Sequence, residues 1–235
     1  MEKAPVMKTH NRSHSIIIQI VIVFFCSGQI TMAQTPIKQT LVILGDSLSA
    51  GHGLQQGQNW TDILQQYLQQ NNKNIRLLNA SISGDTTANG IKRLSNLPQK
   101  IQPHWLLIEL GANDGLRGFS IKQIKRNLQI LIETGQKMDA QVILMAIKIP
   151  PNYGPKYTQA FMQIYPQLAE QYSLPLIPFL LDGIALKAQL MQADGLHPNK
   201  DAQAIISHNV WQALAAVIEK PGVIRAKSQA DQLKP

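Results

Sequence analysis

Thr40-Leu41-Val42-Ile43-Leu44-Gly45 is an unbroken apolar run closed by a glycine. A strand with one wet face would alternate apolar and polar residues, so this run predicts a strand buried on both faces. Outward from it the pattern recurs. Apolar runs predict further strands over 75–80, 105–110 and 141–146, and a short fifth over 176–179. Helical spacing fills the intervals. Trp60, Ile63, Leu64, Tyr67 and Leu68 mark one helix within 58–71, and Thr86 or Thr87 caps a short one reaching about Ser95. Ser120 caps a long helix with Ile121, Ile124, Leu128, Leu131 and Ile132 on one side. A stretch with prolines and glycine leads into a helix ending at Tyr172, and 201–218 forms a last amphipathic one. Strands alternating with helices predict a three-layer α/β/α fold around a five-stranded parallel, doubly wound sheet.

Such sheets carry their sites beyond the carboxyl ends of the strands. Ser47, Gly84 and Asn113 follow the first, second and third strands, so all three are expected at one edge. A serine hydroxyl is a weak nucleophile until a base takes its proton, and the base works well when a carboxylate fixes its tautomer. Asp194-Gly195-Leu196-His197-Pro198 supplies that pair. Gly195 allows a turn in which Asp194 reaches Nδ1 of His197 while Nε2 faces Ser47. Each residue also has a plainer role available: a helix cap for Ser47, an Asx turn for Asn113, a packing role for a histidine. Candidate donors to a tetrahedral oxyanion are the backbone N–H groups of Ser47 and Gly84 and the side-chain amide of Asn113. Asp46 and Asp114 read as braces for these loops. No metal is expected at Asp194 and His197, since the sequence clusters no third or fourth ligand with them.

Composition narrows the setting. The chain has 235 residues, with Lys3, Lys8 and Arg12 near its start, an apolar segment over 16–26, and Thr31-Met32-Ala33 after it. A basic start, a short apolar core and a small-x-Ala exit predict a secretory signal peptide over 1–33, cut before Gln34. The competing reading is an uncleaved anchor, against which the segment is short and interrupted by Gln19, Ser27 and Gly28. A hydrolase domain over 34–220 and a mobile polar tail over 221–235 follow, with export to the periplasm. The remaining 202 residues carry 19 basic against 13 acidic groups, a modest and scattered excess. It excludes a nucleic-acid stripe and allows transient contact with anionic membrane surfaces. The single cysteine, Cys26, lies within the leader, which excludes a disulfide framework or a thiol nucleophile in the mature chain. His52, His104, His197 and His208 are then the histidines available as a base. His104 and His208 read as structural, and His52 is placed to line the site.

Gly45-Asp46-Ser47-Leu48-Ser49-Ala50-Gly51, Ser83-Gly84-Asp85-Thr86-Thr87, Gly111-Ala112-Asn113-Asp114-Gly115 and Asp194-Gly195-Leu196-His197-Pro198 resemble, in order, the four signature blocks of the SGNH (GDSL) hydrolases. The similarity spans about residues 41–218. Within that superfamily, 111–118 and 150–157 look like the bacterial periplasmic acyl-CoA thioesterase, lysophospholipase and arylesterase subgroup, although His52 departs from what that subgroup leads one to expect. The resemblance implies a flavodoxin-like sheet and Ser47 as nucleophile, with His197 as base and Asp194 as its orienter. It implies Ser47, Gly84 and Asn113 as oxyanion donors, no cofactor, and action on small acyl esters, thioesters and lysophospholipids; nothing in the sequence calls for an obligate partner, and a monomer is expected. The apolar, proline-stiffened stretch 147–157 is expected to hold the acyl chain through Ile147, Ile149, Pro150 and Tyr153. Two rivals remain: a carbohydrate O-deacetylase of the same superfamily, and a lipid-binding module without catalysis.

Overall fold

The computed structural model describes residues 1–4 and 39–219. The leader and tail therefore lie outside the described residues, apart from the first four. The chain divides into two units, Met1–Thr35 and Pro36–Pro235, and every helix and strand among the described residues belongs to the second.

The elements in order are β1 (Gln39–Gly45), α1 (Ser47–Ala50), α2 (Trp60–Gln70), β2 (Ile75–Asn79), α3 (Thr87–Ser95), β3 (Trp105–Glu109) and α4 (Ala112–Leu116). Then come α5 (Ile121–Lys137), β4 (Gln141–Met145), α6 (Pro155–Met162), α7 (Ile164–Gln171), β5 (Leu176–Ile177) and α8 (Gln203–Ile218), with short 3₁₀ turns between some of them. The sheet runs β2-β1-β3-β4-β5 with every pair parallel. This is the doubly wound arrangement that the apolar runs predict.

The period-2 geometry of β1 explains its unbroken apolar run. Leu41 and Ile43 point to one face of the sheet and join Trp60, Leu64 and Leu68 of α2 and Ile206, Val210 and Leu214 of α8. Val42 and Leu44 point to the other and join Leu94 of α3, Ile124, Leu128, Leu131 and Ile132 of α5, and Phe161, Tyr165 and Leu168 of α6 and α7. Fully burying each such side chain contributes about 1.5–3 kcal/mol, so β1 is held from both sides. Expected caps are present: Thr86 accepts from the N–H of Asn89 at 3.3 Å, and Ser120 from that of Gln123 at 3.2 Å.

Two expectations need correction. The helix leading to Tyr172 is broken into α6 and α7 at Gln163. Pro166 explains the break, because it lacks the N–H an uninterrupted helix would use and tolerates only a first turn. β5 is two residues long, stopping where Pro178 follows Ile177.

Sheet order fixes the place of the site. β1 has β2 on one side and β3 on the other, so the chain winds in opposite senses from the β1–β3 seam. Loops leaving the two strands diverge there and open a crevice. Ser47 follows β1, and Asn113 follows β3.

Candidate active site

Gly45 at the end of β1 is paired in register with Glu109 at the end of β3. A side chain on Gly45 would put its Cβ 2.5 Å from Glu109 Oε2 and 2.9 Å from Ser49 Cβ. Glycine is therefore required here for space. The next residue, Asp46, caps α1: its Oδ1 accepts from the N–H of Leu48 at 3.1 Å. The cap is thus Asp46, and Ser47 is left free of that job. The turn is clamped from behind. The carbonyl of Ser49 accepts from Asn59 Nδ2 at 2.6 Å and Asn79 Nδ2 at 2.7 Å, and that of Leu48 from Trp60 Nε1 at 3.2 Å. A half-buried Ser47 hydroxyl is thereby presented from a fixed backbone.

Ser47 Oγ lies 2.9 Å from Nε2 of His197, whose Nδ1 lies 2.6 Å from Asp194 Oδ2. The intervening turn needs Gly195, which has φ +67°. Asp194 Oδ1 accepts the N–H of Leu196 at 2.9 Å and of His197 at 3.0 Å, so one carboxylate both shapes the turn and engages the ring. Its burial resists ionisation, but the hydrogen bonds from the His197 side chain and from the His197 and Leu196 backbone, with the nearby His197 charge, outweigh that. The carboxyl is held down to about 2. It is ionised throughout the neutral range.

The groups expected to donate to an oxyanion are Ser47, Gly84 and Asn113. Among the described residues, neither the Ser47 nor the Gly84 amide N–H has a protein acceptor. A Cβ on Gly84 would meet nothing within 4 Å, so the space over it is open. Asn113 Nδ2 donates to the carbonyl of Asp85 at 3.0 Å and lies 3.3 Å from Asp46 Oδ2. The first bond aims the amide, and the second is long enough to be exchanged for a stronger acceptor. Asp114 braces α3 as expected, accepting from the N–H and hydroxyl of Thr87 at 2.8 and 2.5 Å.

Of the proposed acyl-chain residues, two are not where the sequence suggested. Ile147 and Ile149 are buried in the core with Phe161 and Tyr165, and offer no surface to a ligand. Alternation along the segment turns them inward while Lys148 stays exposed. Pro150 is half-buried and Tyr153 exposed, its hydroxyl bonded to the carbonyl of Leu116 at 2.9 Å, which ties this loop to the helix carrying Asn113. Exposed apolar side chains also occur on the site loops themselves, at Ile82 and Leu196.

Two participants, Glu109 and Gln192, were not legible. Glu109 is fully buried, its Oε2 accepting from Ser49 Oγ at 2.8 Å and from the N–H of Asp46 at 3.3 Å. Burial, with the Asp46 charge next in weight, pushes its carboxyl well above the usual range. Burial likewise pushes Asp46 up to about 6, against the opposing pull of its Leu48 bond. Gln192 donates to the carbonyls of His52 at 2.8 Å and Pro198 at 3.1 Å, stapling the serine loop to the histidine loop. His52 lies ring to ring with His197, centroids 4.4 Å apart. His52, Asp194 and His197 offer atoms able to ligate a metal within 4.8 Å of one another, so His52 is a third such group beside the pair, which spacing did not reveal. His104 instead accepts from the N–H of Thr40 at 3.1 Å, a packing role, and His208 sits exposed on α8.

Glu109 and Asp46 give a pH prediction. Both bind their proton more tightly folded than unfolded, so the stability they contribute is full below about pH 4 and is lost as pH rises through their folded values. Glu109→Gln keeps an acceptor for Asp46 and Ser49 without an ionisable group. Its melting temperature relative to the wild type should rise from pH 5 to pH 8. Glu109→Leu strands both donors, at about 1–3 kcal/mol each. A constant offset between Gln variant and wild type across that range would show that Glu109 does not carry the excess proton.

The chain is similar to known proteins. The family model of the GDSL-like lipase/acylhydrolases matches residues 43–205. The esterase TesA of Pseudomonas aeruginosa is 41% identical over 193 residues, 82% of this chain and 96% of that protein. Thioesterase 1/protease 1/lysophospholipase L1 of Escherichia coli K12 is 45% identical over 174 residues, 74% of this chain and 81% of that protein. The psychrotrophic esterase EstA of Pseudoalteromonas sp., solved inhibited by monoethylphosphonate, superposes with a TM-score of 0.76 at 43% identity, covering 77% of this chain and 100% of its own. With the parallel 2-1-3-4-5 sheet and the serine turn at its switch point, these matches establish that the chain belongs to the GDSL-like lipase/acylhydrolase family.

Proposed function

We propose that this protein is a serine hydrolase cleaving acyl esters and thioesters through an acyl-enzyme on Ser47. The observation that carries the reading is the continuous relay Ser47–His197–Asp194, 2.9 and 2.6 Å across its two links. Ser47 Oγ attacks the acyl carbonyl carbon as its proton passes to His197 Nε2. The resulting oxyanion accepts from the N–H groups of Ser47 and Gly84 and from Asn113 Nδ2, which gives up its long contact with Asp46. Collapse expels the alcohol or thiol, which leaves with the proton from His197. Water then repeats the cycle, losing its proton to His197 and releasing the acid and Ser47.

The relatives' names support acyl esters, thioesters and lysophospholipids as the substrate range. Ile82, Leu196, Pro150 and Tyr153 are the apolar surface on the surrounding loops and favour an acyl chain over a sugar. A fluorophosphonate probe should label the wild type at Ser47 and leave Ser47→Ala unlabelled. The purified enzyme should hydrolyse p-nitrophenyl esters, a long-chain acyl thioester and a lysophospholipid. Labelling without turnover on any of these would reject the substrate class, and absence of labelling would reject the mechanism.

Asn113→Ala should lower kcat by roughly 10²–10³, about 2.7–4 kcal/mol, with a much smaller change in KM. The reverse pattern would make Asn113 a group that only binds substrate. The three-part pattern over 1–33 supports export to the periplasm. The mature chain should begin at Gln34 and be released by osmotic shock, and N-terminal sequencing checks this.

A further inference from the structure

His52 stands out because its backbone is fixed and its ring is not. Its N–H donates to the Ser47 carbonyl at 3.1 Å, and its carbonyl accepts from Gln192 at 2.8 Å. Its imidazole is exposed and, among the described residues, makes no hydrogen bond; it lies against His197. Asp194 beside it is also exposed, so solvent reaches the space between them.

We infer that His52, Asp194 and His197 form a transition-metal site at which Zn²⁺ or a similar ion reversibly shuts off the hydrolase. Two imidazoles and one carboxylate are the donor set of open, three-ligand zinc sites, and they discriminate against Mg²⁺ and Ca²⁺, which prefer oxygen. The three ligand atoms already lie within 4.8 Å of one another. Zinc bonds of about 2.0–2.2 Å require a tighter cluster, and the free ring of His52 can turn to close it. Asp46, whose acceptors are engaged by Leu48 and Asn113, is left out of the set.

Binding and catalysis are mutually exclusive on this geometry. The relay needs the Asp194 carboxylate on Nδ1 of His197 and a free electron pair on Nε2 for the Ser47 proton. A cation held by Asp194 and either nitrogen removes one of the two. No covalent change occurs, so a chelator reverses the effect. The inhibitory half of this inference rests on the esterase reading above; the binding half does not.

The two halves are tested separately on protein without a histidine tag. Calorimetry with ZnCl₂ should give one site per chain in the wild type and in Ser47→Ala, which keeps all three ligands but has no nucleophile. Binding should weaken by at least about tenfold in His52→Ala and remain unchanged in His208→Ala. In ester hydrolysis, with each variant compared with its own metal-free rate, micromolar Zn²⁺ should inhibit the wild type and EDTA should restore it. His52→Ala should need at least about tenfold more Zn²⁺, and Mg²⁺ should have no effect. Equal Zn²⁺ affinity in wild type and His52→Ala would overturn the site, as would the absence of stoichiometric binding in Ser47→Ala. Binding that leaves hydrolysis unaffected would overturn the inhibition. A protein that binds Zn²⁺ but hydrolyses no ester would reject the esterase reading and leave the metal site established.

Discussion

Ser47→Ala and His197→Ala should each lower kcat by on the order of 10⁶, and the double variant should be little worse than either. The reason is that neither residue does anything for the other's absence. Without His197, the Ser47 proton at the 2.9 Å link has no acceptor, and the hydroxyl remains as inert as in water. Without Ser47, His197 has no nucleophile to activate except bulk water, and no acyl-enzyme can form. What survives is the rate supplied by the oxyanion donors and by substrate binding, and that is common to all three variants. His52→Ala measured alongside is the necessary control, because its ring lies 4.4 Å from that of His197. Should that variant be as inactive as His197→Ala, the base would have been assigned to the wrong histidine. A double variant another 10³-fold slower than the singles would show that the two residues act independently.

How far the sequence could be read depended on whether a feature is local. β1 announces itself because both its faces are buried, so Leu41 to Leu44 are apolar without alternation. Asp194 and His197 were legible because a three-residue spacing across a glycine is a property of one turn. Gly84 and Asn113 needed only the rule that loops after parallel strands meet at one edge. The partnership of Glu109 with Ser49 and the Asp46 N–H is different, since it crosses from β3 to the loop after β1 and depends on register. A glutamate at the end of an apolar strand carries no mark of being fully buried. The His52–His197 contact spans 145 positions and is set by the Gln192 staple, which spacing cannot reveal. Ile147 and Ile149 misled for the opposite reason. Apolar residues in a loop read equally well as ligand surface or as core, and Phe161 and Gly115 claim them for the core. Pro166 was in plain view, and the break between α6 and α7 follows from it alone.

Asp194→Asn should leave the fold intact and lower kcat by roughly 10⁴ with little change in KM, the size of loss seen where a relay carboxylate becomes an amide. The turn itself dictates why. Asp194 Oδ1 accepts two backbone N–H groups, from Leu196 and His197, and only an oxygen can take that position. The asparagine carbonyl must therefore stay on the turn, which forces its NH₂ toward Nδ1 of His197, where Oδ2 now sits at 2.6 Å. An NH₂ can only donate, so Nδ1 must become the acceptor and the ring proton moves to Nε2. That nitrogen then points a proton at Ser47 and cannot take one. The flipped amide would restore the tautomer but set an NH₂ against the N–H groups of Leu196 and His197, replacing two hydrogen bonds by opposed donors, which disfavours it. Since the wild-type carboxyl is held at about 2, it is ionised from pH 6 to pH 9, and no part of the loss in that range comes from its own titration. Asp194→Ala is the comparison that isolates the turn, because it loses the two backbone bonds as well and should melt at a lower temperature than the asparagine variant. A loss below about 10² in Asp194→Asn, with the fold unchanged, would reduce Asp194 to a residue that shapes the turn and remove it from the relay.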